Sequence, residues 1–121
     1  MFVRELGAGS GGTAVLWLHG LGSDGAAFGA VAEHPRLARR RHLMPDLPGF
    51  GQSPPSQEPL GLQEHADLLA SWLSRRGEAR VVLVGHSMGG VVGQILAEGH
   101  SGLVSAFANV EGNLSPADCT V

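Results

Sequence analysis

The chain has 121 residues, of which 43% are hydrophobic and 16% are charged, and its formal net charge is -3. This length suits one domain with a real core, and the charge leaves no large basic field for nucleic acid. No apolar run is long enough to cross a membrane, and the first five residues lack the blocks of a signal peptide. We therefore expect a globular cytoplasmic protein that binds neither nucleic acid nor a membrane.

Cysteine and charge patterns also limit the chemistry. Cys119 is the only cysteine, so no internal disulfide can form, and no clustered ligands indicate zinc. The basic cluster of Arg36 and residues 39–41 fits a solvated face. We expect neither a metal nor another cofactor.

Apolar runs along the chain predict strands. Runs that are apolar on both faces, at residues 14–19, 42–46 and 81–84, indicate buried parallel strands. A leading strand at residues 2–6 is followed by a turn over residues 7–12. The last predicted strand covers residues 103–110.

Helical spacing alternates with these strands. Residues 26–33 predict a short helix with Ser23 or Asp24 as its cap. A helix over residues 62–76 ends at Gly77, and another runs from Met88 to residue 99. The Pro- and Gly-rich residues 47–61 indicate a long surface loop. This alternation predicts an α/β three-layer sandwich, a mostly parallel sheet with helices on both faces.

One serine stands at a position typical of a nucleophile. Ser87 lies between Gly85 and Gly89, in Gly85-His86-Ser87-Met88-Gly89, directly after a predicted strand and before a helix. That pattern describes a nucleophile elbow, which exposes a serine hydroxyl on a sharp turn. Because only three positions are fixed in a chain with 19 glycines, the alternative is a plain turn whose serine caps the helix.

Two further motifs follow the first two buried strands, namely His19-Gly20-Leu21-Gly22 and Asp46-Leu47-Pro48-Gly49-Phe50-Gly51-Gln52-Ser53. Together with the serine motif, and in this order, they resemble the first half of an α/β-hydrolase. The resemblance implies that Ser87 is the nucleophile and that the backbone amides of Leu21 and Met88 form the oxyanion hole. It also implies a strand order that brings the Gly20 loop and the elbow to one crevice.

A serine at the elbow favours acyl chemistry on a small-molecule substrate. Family members that open epoxides or carbon-halogen bonds carry an aspartate there instead. The implied cycle is attack by Ser87 on a carbonyl, a tetrahedral oxyanion, an acyl-enzyme and its hydrolysis. Phe50 and Trp17 are candidates for an acyl pocket, although a tryptophan within a strand fits the core better.

A dinucleotide-binding fold is the alternative that uses the same residues. Residues 20–25 match G-x-G-x-x-G after a strand, and Asp46 ends the next strand, where it would bind a ribose hydroxyl. This interpretation leaves the elbow unexplained.

The catalytic histidine of a triad is missing from the expected place. In the family the acid and the histidine follow the serine, but only His100 does so here, at the far end of the next helix. The other histidines fit packing or solvated roles: His19, His34, His42, His65 and His86. Glu111, at the end of the last strand, is a candidate acid with a turn role as its alternative.

The end of the chain supports an interpretation as a partial domain. Residues 113–118 resemble the start of the family's helical lid, so residues 1–121 are interpreted as one incomplete hydrolase domain, inactive alone. A non-catalytic binding module and a half completed by a partner are the alternatives. The last strand would have an open edge and an uncovered Phe107, which favours self-association.

Overall fold

A computed structural model describes residues 1–7, 11–113 and 115, and within them the chain forms one five-stranded sheet. The strands are β1 (Val3–Leu6), β2 (Ala14–Leu18), β3 (His42–Pro45), β4 (Val81–His86) and β5 (Val104–Val110). Their order across the sheet is β1-β3-β2-β4-β5. β2 to β5 are parallel, and β1 pairs antiparallel with β3. The predicted α/β class and the side-by-side placement of β2 and β4 are confirmed.

In the part of the chain that the structure describes, three α-helices connect the strands: α1 (Gly29–Ala32), α2 (Leu62–Arg76) and α3 (Met88–Gly99). Asp24 caps the segment before α1 by accepting a 2.8 Å hydrogen bond from the Ala26 amide, as predicted. The single helix predicted over residues 26–33 is wrong in form. It is a 3-10 turn, Gly25–Phe28, followed by one α-helical turn, because glycines at 25 and 29 give little helical propensity.

Each side of the sheet has its own core. One cluster lies between the sheet and α2 with α3, and it is built mainly on leucines: Leu16, Leu18, Leu43, Leu69, Leu73, Leu83 and Leu96. The other lies on the opposite face, where Val15, Trp17 and Met44 pack with Ala32. All five residues of β2 are buried because helices cover both of its faces. Trp17 is therefore a core residue and not part of a substrate pocket.

β5 forms the edge of the sheet, and it pairs only with β4 in the part of the chain that the structure describes. The expectation that Phe107 is uncovered is wrong: this side chain is half-buried and packs against the main core beside Gly93 of α3. The exposed apolar side chains of β5 are Ala106, Ala108 and Val110, which lie on alternate positions that α3 does not cover. The open edge itself is present.

Some expectations fall outside the described residues. These are residues 8–10 of the predicted turn, most of the lid-like residues 113–118, and Cys119. No helix in residues 1–7, 11–113 and 115 has the length and apolar character that crossing a membrane requires.

Candidate active site

Ser87 stands alone between the last residue of β4 and the first residue of α3. Its backbone angles are φ 53 and ψ -119, a strained conformation for a residue with a side chain. The Ser87 amide donates to the Val110 carbonyl at 2.9 Å, and its carbonyl accepts from the Gly90 amide at 2.9 Å. Its side chain makes no capping hydrogen bond to α3. The side chain of Ser87 therefore does not act as a helix cap. Backbone hydrogen bonds to β5 and α3 hold the turn in its strained conformation.

The two glycines of the elbow allow the close packing that this turn needs. A Cβ atom on Gly89 would overlap the Leu18 carbonyl of β2, and one on Gly85 would overlap the backbone of Gly89. α3 thus begins directly against the strands, with no room for side chains at either position. This contact fixes the height of Ser87 above the sheet.

The Gly20 loop meets the elbow, as the strand order requires. A Cβ atom on Gly20 would lie only 3.2 Å from the Ser87 Cβ and 3.3 Å from Nδ1 of His86. The two loops follow β2 and β4, which are neighbours in register, with Leu18 opposite Gly85. The order of the strands reverses at this point, since β3 lies on one side of β2 and β4 on the other. Open α/β sheets bind their ligands at such a position.

The two amides predicted for the oxyanion hole are available as donors. Neither the Leu21 nor the Met88 amide has a backbone acceptor among residues 1–7, 11–113 and 115. The Met88 amide is the first of α3, at the positive end of the helix. Leu21, Met88 and Ser87 line the same cavity of about 280 Å³.

His19 positions the Gly20 loop through both ring nitrogens. Its Nε2 accepts a 3.0 Å hydrogen bond from the Leu47 amide, and its Nδ1 lies 2.8 Å from the Gly20 carbonyl. Because the Leu47 amide can only donate, Nε2 carries no proton, and Nδ1 is the nitrogen that donates to Gly20. His19 is therefore a structural histidine, which joins the loop after β2 to the loop after β3.

Asp46 organises the third motif. Its buried carboxylate accepts 2.8 Å hydrogen bonds from the amides of Gly25 and Gln52, and it forms an ion pair with Arg4. Burial acts to raise the pKa of Asp46, but the two amides and Arg4 together lower it below its usual value. Gly51 packs so closely on the carboxylate that a Cβ atom there would overlap it.

These contacts remove the basis for the dinucleotide alternative. In that interpretation Asp46 would bind a ribose hydroxyl and the glycines of residues 20–25 would leave room for a pyrophosphate. Instead, Asp46 is fully buried with its oxygens bonded inside the protein, and Gly25 is one of its donors.

The histidines nearest the end of the chain are paired with carboxylates and not with Ser87. Nε2 of His86 lies 3.3 Å from Oε2 of Glu111, and Nε2 of His100 lies 3.2 Å from Oδ1 of Asp67. Glu111 has a φ of 60 and is exposed, although it lines the cavity with Ser87. Among the described residues, no histidine forms a hydrogen bond with Ser87.

A larger cavity of about 480 Å³ adjoins the first and shares Leu21, Leu62 and Met88 with it. The loop of residues 47–61 forms much of its wall, and Phe50 lines it, in agreement with the sequence. His65 lines it too, and only 6% of this residue is exposed. The sequence left a packing role and a solvated role open for His65. Its position three residues after Leu62 and four before Leu69, on the apolar face of α2, is the signal for its burial.

The comparisons with known proteins agree with this geometry. The sequence profile of the Alpha/beta hydrolase family matches residues 15–118, and the chain belongs to this family. It resembles lipase LipV of Mycobacterium tuberculosis, with 36% identity over 98 residues, 81% of this chain and 36% of the lipase. It also resembles the pimeloyl-[acyl-carrier protein] methyl ester esterase of Chromobacterium violaceum, with 36% identity over 110 residues, 91% of this chain and 40% of the esterase.

Among solved structures, a thermophilic esterase from Thermogutta terrifontis superposes with a TM-score of 0.83 at 27% sequence identity. The match covers 96% of this chain and 43% of that esterase. The chain spans between 23% and 40% of the length of the curated relatives it matches. These matches place the chain in a family of hydrolases, but they do not identify the roles of individual residues.

Proposed function

We propose that this chain carries the nucleophile and the oxyanion hole of a serine hydrolase that acts on a carboxylic ester or a related small acyl compound. One observation carries the proposal: Ser87 has a strained backbone at the elbow and lines the same cavity as Leu21 and Met88, whose amides have no backbone acceptor among the described residues. Relatives that are named a lipase and a methyl ester esterase support the same reaction class.

In the proposed reaction, Oγ of Ser87 attacks the substrate carbonyl and forms the new C–O bond of a tetrahedral intermediate. The amides of Leu21 and Met88 hold the oxyanion until the alcohol leaves with a proton. Water then cleaves the acyl-enzyme and restores Ser87. One preorganised donor of this kind is worth about 3 to 4 kcal/mol in the transition state.

The base that takes the Ser87 proton is proposed to come from outside these 121 residues. This rests on the pairing of His86 with Glu111 and of His100 with Asp67, which leaves no described histidine bonded to Ser87. Serine without its base loses on the order of a millionfold in turnover in other enzymes. The chain alone is therefore expected to hydrolyse esters very slowly.

Glu111 is the candidate for the acid, because it lines the cavity of Ser87 and already holds a histidine, His86. Replacement by glutamine removes the charge and keeps the size. If the assignment is right, Glu111→Gln slows turnover in a complete protein in which the base is present, and undiminished turnover there removes Glu111 from the site.

Labelling with a fluorophosphonate tests the identity of the nucleophile. In the presence of imidazole as an external base, mass spectrometry should locate the label on Ser87. Ser87→Ala abolishes it, whereas Ser101→Ala, at an exposed serine outside the cavity, does not. A label distributed over other serines, or none at Ser87, would favour the non-catalytic binding module.

A further inference from the structure

His65 is exceptional among the buried polar side chains of the described chain, which are His19, His42, Asp46, Ser53 and His65. Each of the first four uses its polar atoms in hydrogen bonds; His42, for example, bonds to Trp17 and to the Leu37 carbonyl. Nδ1 of His65 is buried and has no partner within residues 1–7, 11–113 and 115. Buried polar groups in folded proteins are nearly always paired, so this nitrogen lacks something that the fold does not supply.

Nε2 of the same ring also has no hydrogen-bond partner among the described residues, and unlike Nδ1 it is not fully buried. Because His65 lines the 480 Å³ cavity, Nε2 is the nitrogen that a ligand there can reach. The cavity has the size of small-molecule sites and adjoins the Ser87 cavity through Leu21, Leu62 and Met88. Its walls are largely apolar, and none of the lining residues carries a formal charge. Two other polar residues line it, Ser56 and Gln57, but both are exposed, and the Ser56 hydroxyl already donates to the Glu58 carbonyl.

We infer that His65 determines substrate specificity by forming a hydrogen bond with a neutral hydroxyl group on the acyl chain of the substrate, in the cavity beside Ser87. The inference rests on the proposed function and names its substrate class. A neutral imidazole has one donor and one acceptor nitrogen, and a hydroxyl group can partner either. A carboxylate would have to leave water for a cavity without a positive side chain, which is costly.

A binding measurement in the Ser87→Ala background tests this without turnover. NMR titration compares methyl hexanoate with each of its singly hydroxylated derivatives. We expect the protein to bind one hydroxylated ester more tightly than the parent ester by between about threefold and tenfold, the worth of one net hydrogen bond. Adding His65→Leu should erase that preference while binding of the parent ester is kept.

Two control variants keep the result interpretable. His65→Asn, which retains a polar amide close to the backbone, should keep part of the preference. His34→Leu, at an exposed histidine outside the cavity, should keep all of it. The melting temperature of His65→Leu should equal or exceed that of the parent, because an unpaired polar group is replaced by an apolar one. A structural histidine would instead lower the melting temperature.

The inference is overturned if no hydroxylated ester binds more tightly than the parent ester, or if His65→Leu retains the preference. Its failure is separate from that of the proposed function. Labelling of Ser87 reports the nucleophile whatever His65 binds, and the titration reports His65 in a protein that has no nucleophile.

Discussion

Single side chains link two loops of the candidate site, the loop after β2 and the loop after β3. Asp46 receives the amides of Gly25 and Gln52 and the guanidinium of Arg4, so one carboxylate connects the loop after β2, the loop after β3 and strand β1. His19 links the first two of these loops a second time. The loops of the site therefore depend on a few buried polar residues.

Asp46→Asn should lower the free energy of unfolding by about 2 to 4 kcal/mol, because an amide cannot accept from all three donors and Arg4 loses its partner. Chemical denaturation at neutral pH measures this. Asp67→Asn is the control: Asp67 is exposed on α2 and pairs with His100 at the surface, so little change is expected. Equal losses in the two variants would contradict this account of Asp46.

Asp46 should also make the stability of the wild type depend on pH in a way that Asp46→Asn lacks. The pKa of Asp46 is lower in the folded chain than its usual value, so its stabilisation is complete above about pH 4 and is lost as the pH falls through the folded value. Melting temperatures of the wild type should therefore fall more steeply with acid below about pH 4 than those of Asp46→Asn. Parallel curves would show that the carboxylate is not stabilised by folding.

The burial of His65 should also make the stability of the chain depend on pH, in a range above that of Asp46. Burial lowers the pKa of His65, the neighbouring His19 acts in the same direction, and Glu64 opposes both. Since the unfolded chain binds the proton more tightly, stability is full above about pH 6.5 and declines as the pH falls through the folded value. His65→Leu should flatten this decline in thermal melts between about pH 6.5 and pH 5, and an unchanged slope would contradict the burial of the ring.

At the scale of elements, the beginning of α3 is the critical contact. Gly89 of α3 lies against the Leu18 carbonyl of β2, whereas Gly99, at the other end of the same helix, has no atom within 4 Å of where a Cβ would stand. Gly89→Ala should cost about 1 to 3 kcal/mol through overpacking. Gly99→Ala should cost nothing or stabilise by up to about 1 kcal/mol. Thermal unfolding of the two variants checks this, and a tolerated Gly89→Ala would contradict the close packing.

The elements that the sequence predicted best are those whose signal is local. The apolar run of β2 and the period of α2 with its terminal Gly77 needed no distant partner, and both are confirmed. The helix predicted over residues 26–33 is wrong because Gly29, in its middle, lowers helical propensity, and two short turns form instead. The unpaired nitrogen of His65 could not be foreseen, because it arises where α2 meets the loop of residues 47–61.

At the scale of the molecule, the two faces of the sheet are covered unequally. α2 and α3 bury one face, but on the other the helical cover reaches β2 and β3 and leaves Ala106, Ala108 and Val110 of β5 exposed. Parallel sheets normally have both faces covered. We propose that the exposed edge and the apolar face together favour pairing with a second copy of the chain.

Ala106→Lys should therefore shift the chain toward the monomer, because a charge on an edge strand opposes strand pairing. Sedimentation velocity over a range of concentrations measures the shift. Ala30→Lys makes the same charge change on α1, away from the edge, and should leave association unchanged. A wild-type chain that is monomeric at all concentrations would contradict the proposed edge contact.

We propose that Ser87 and its oxyanion amides are already in position for catalysis, whereas the base comes from outside these residues. Chemical rescue separates the two parts of this proposal: hydrolysis of a short p-nitrophenyl ester is measured with increasing imidazole, in the wild type and in Ser87→Ala. We expect a Ser87-dependent rate that is negligible without imidazole and rises as imidazole is added. Rapid Ser87-dependent hydrolysis without imidazole, or no dependence on Ser87 at any imidazole concentration, would contradict it.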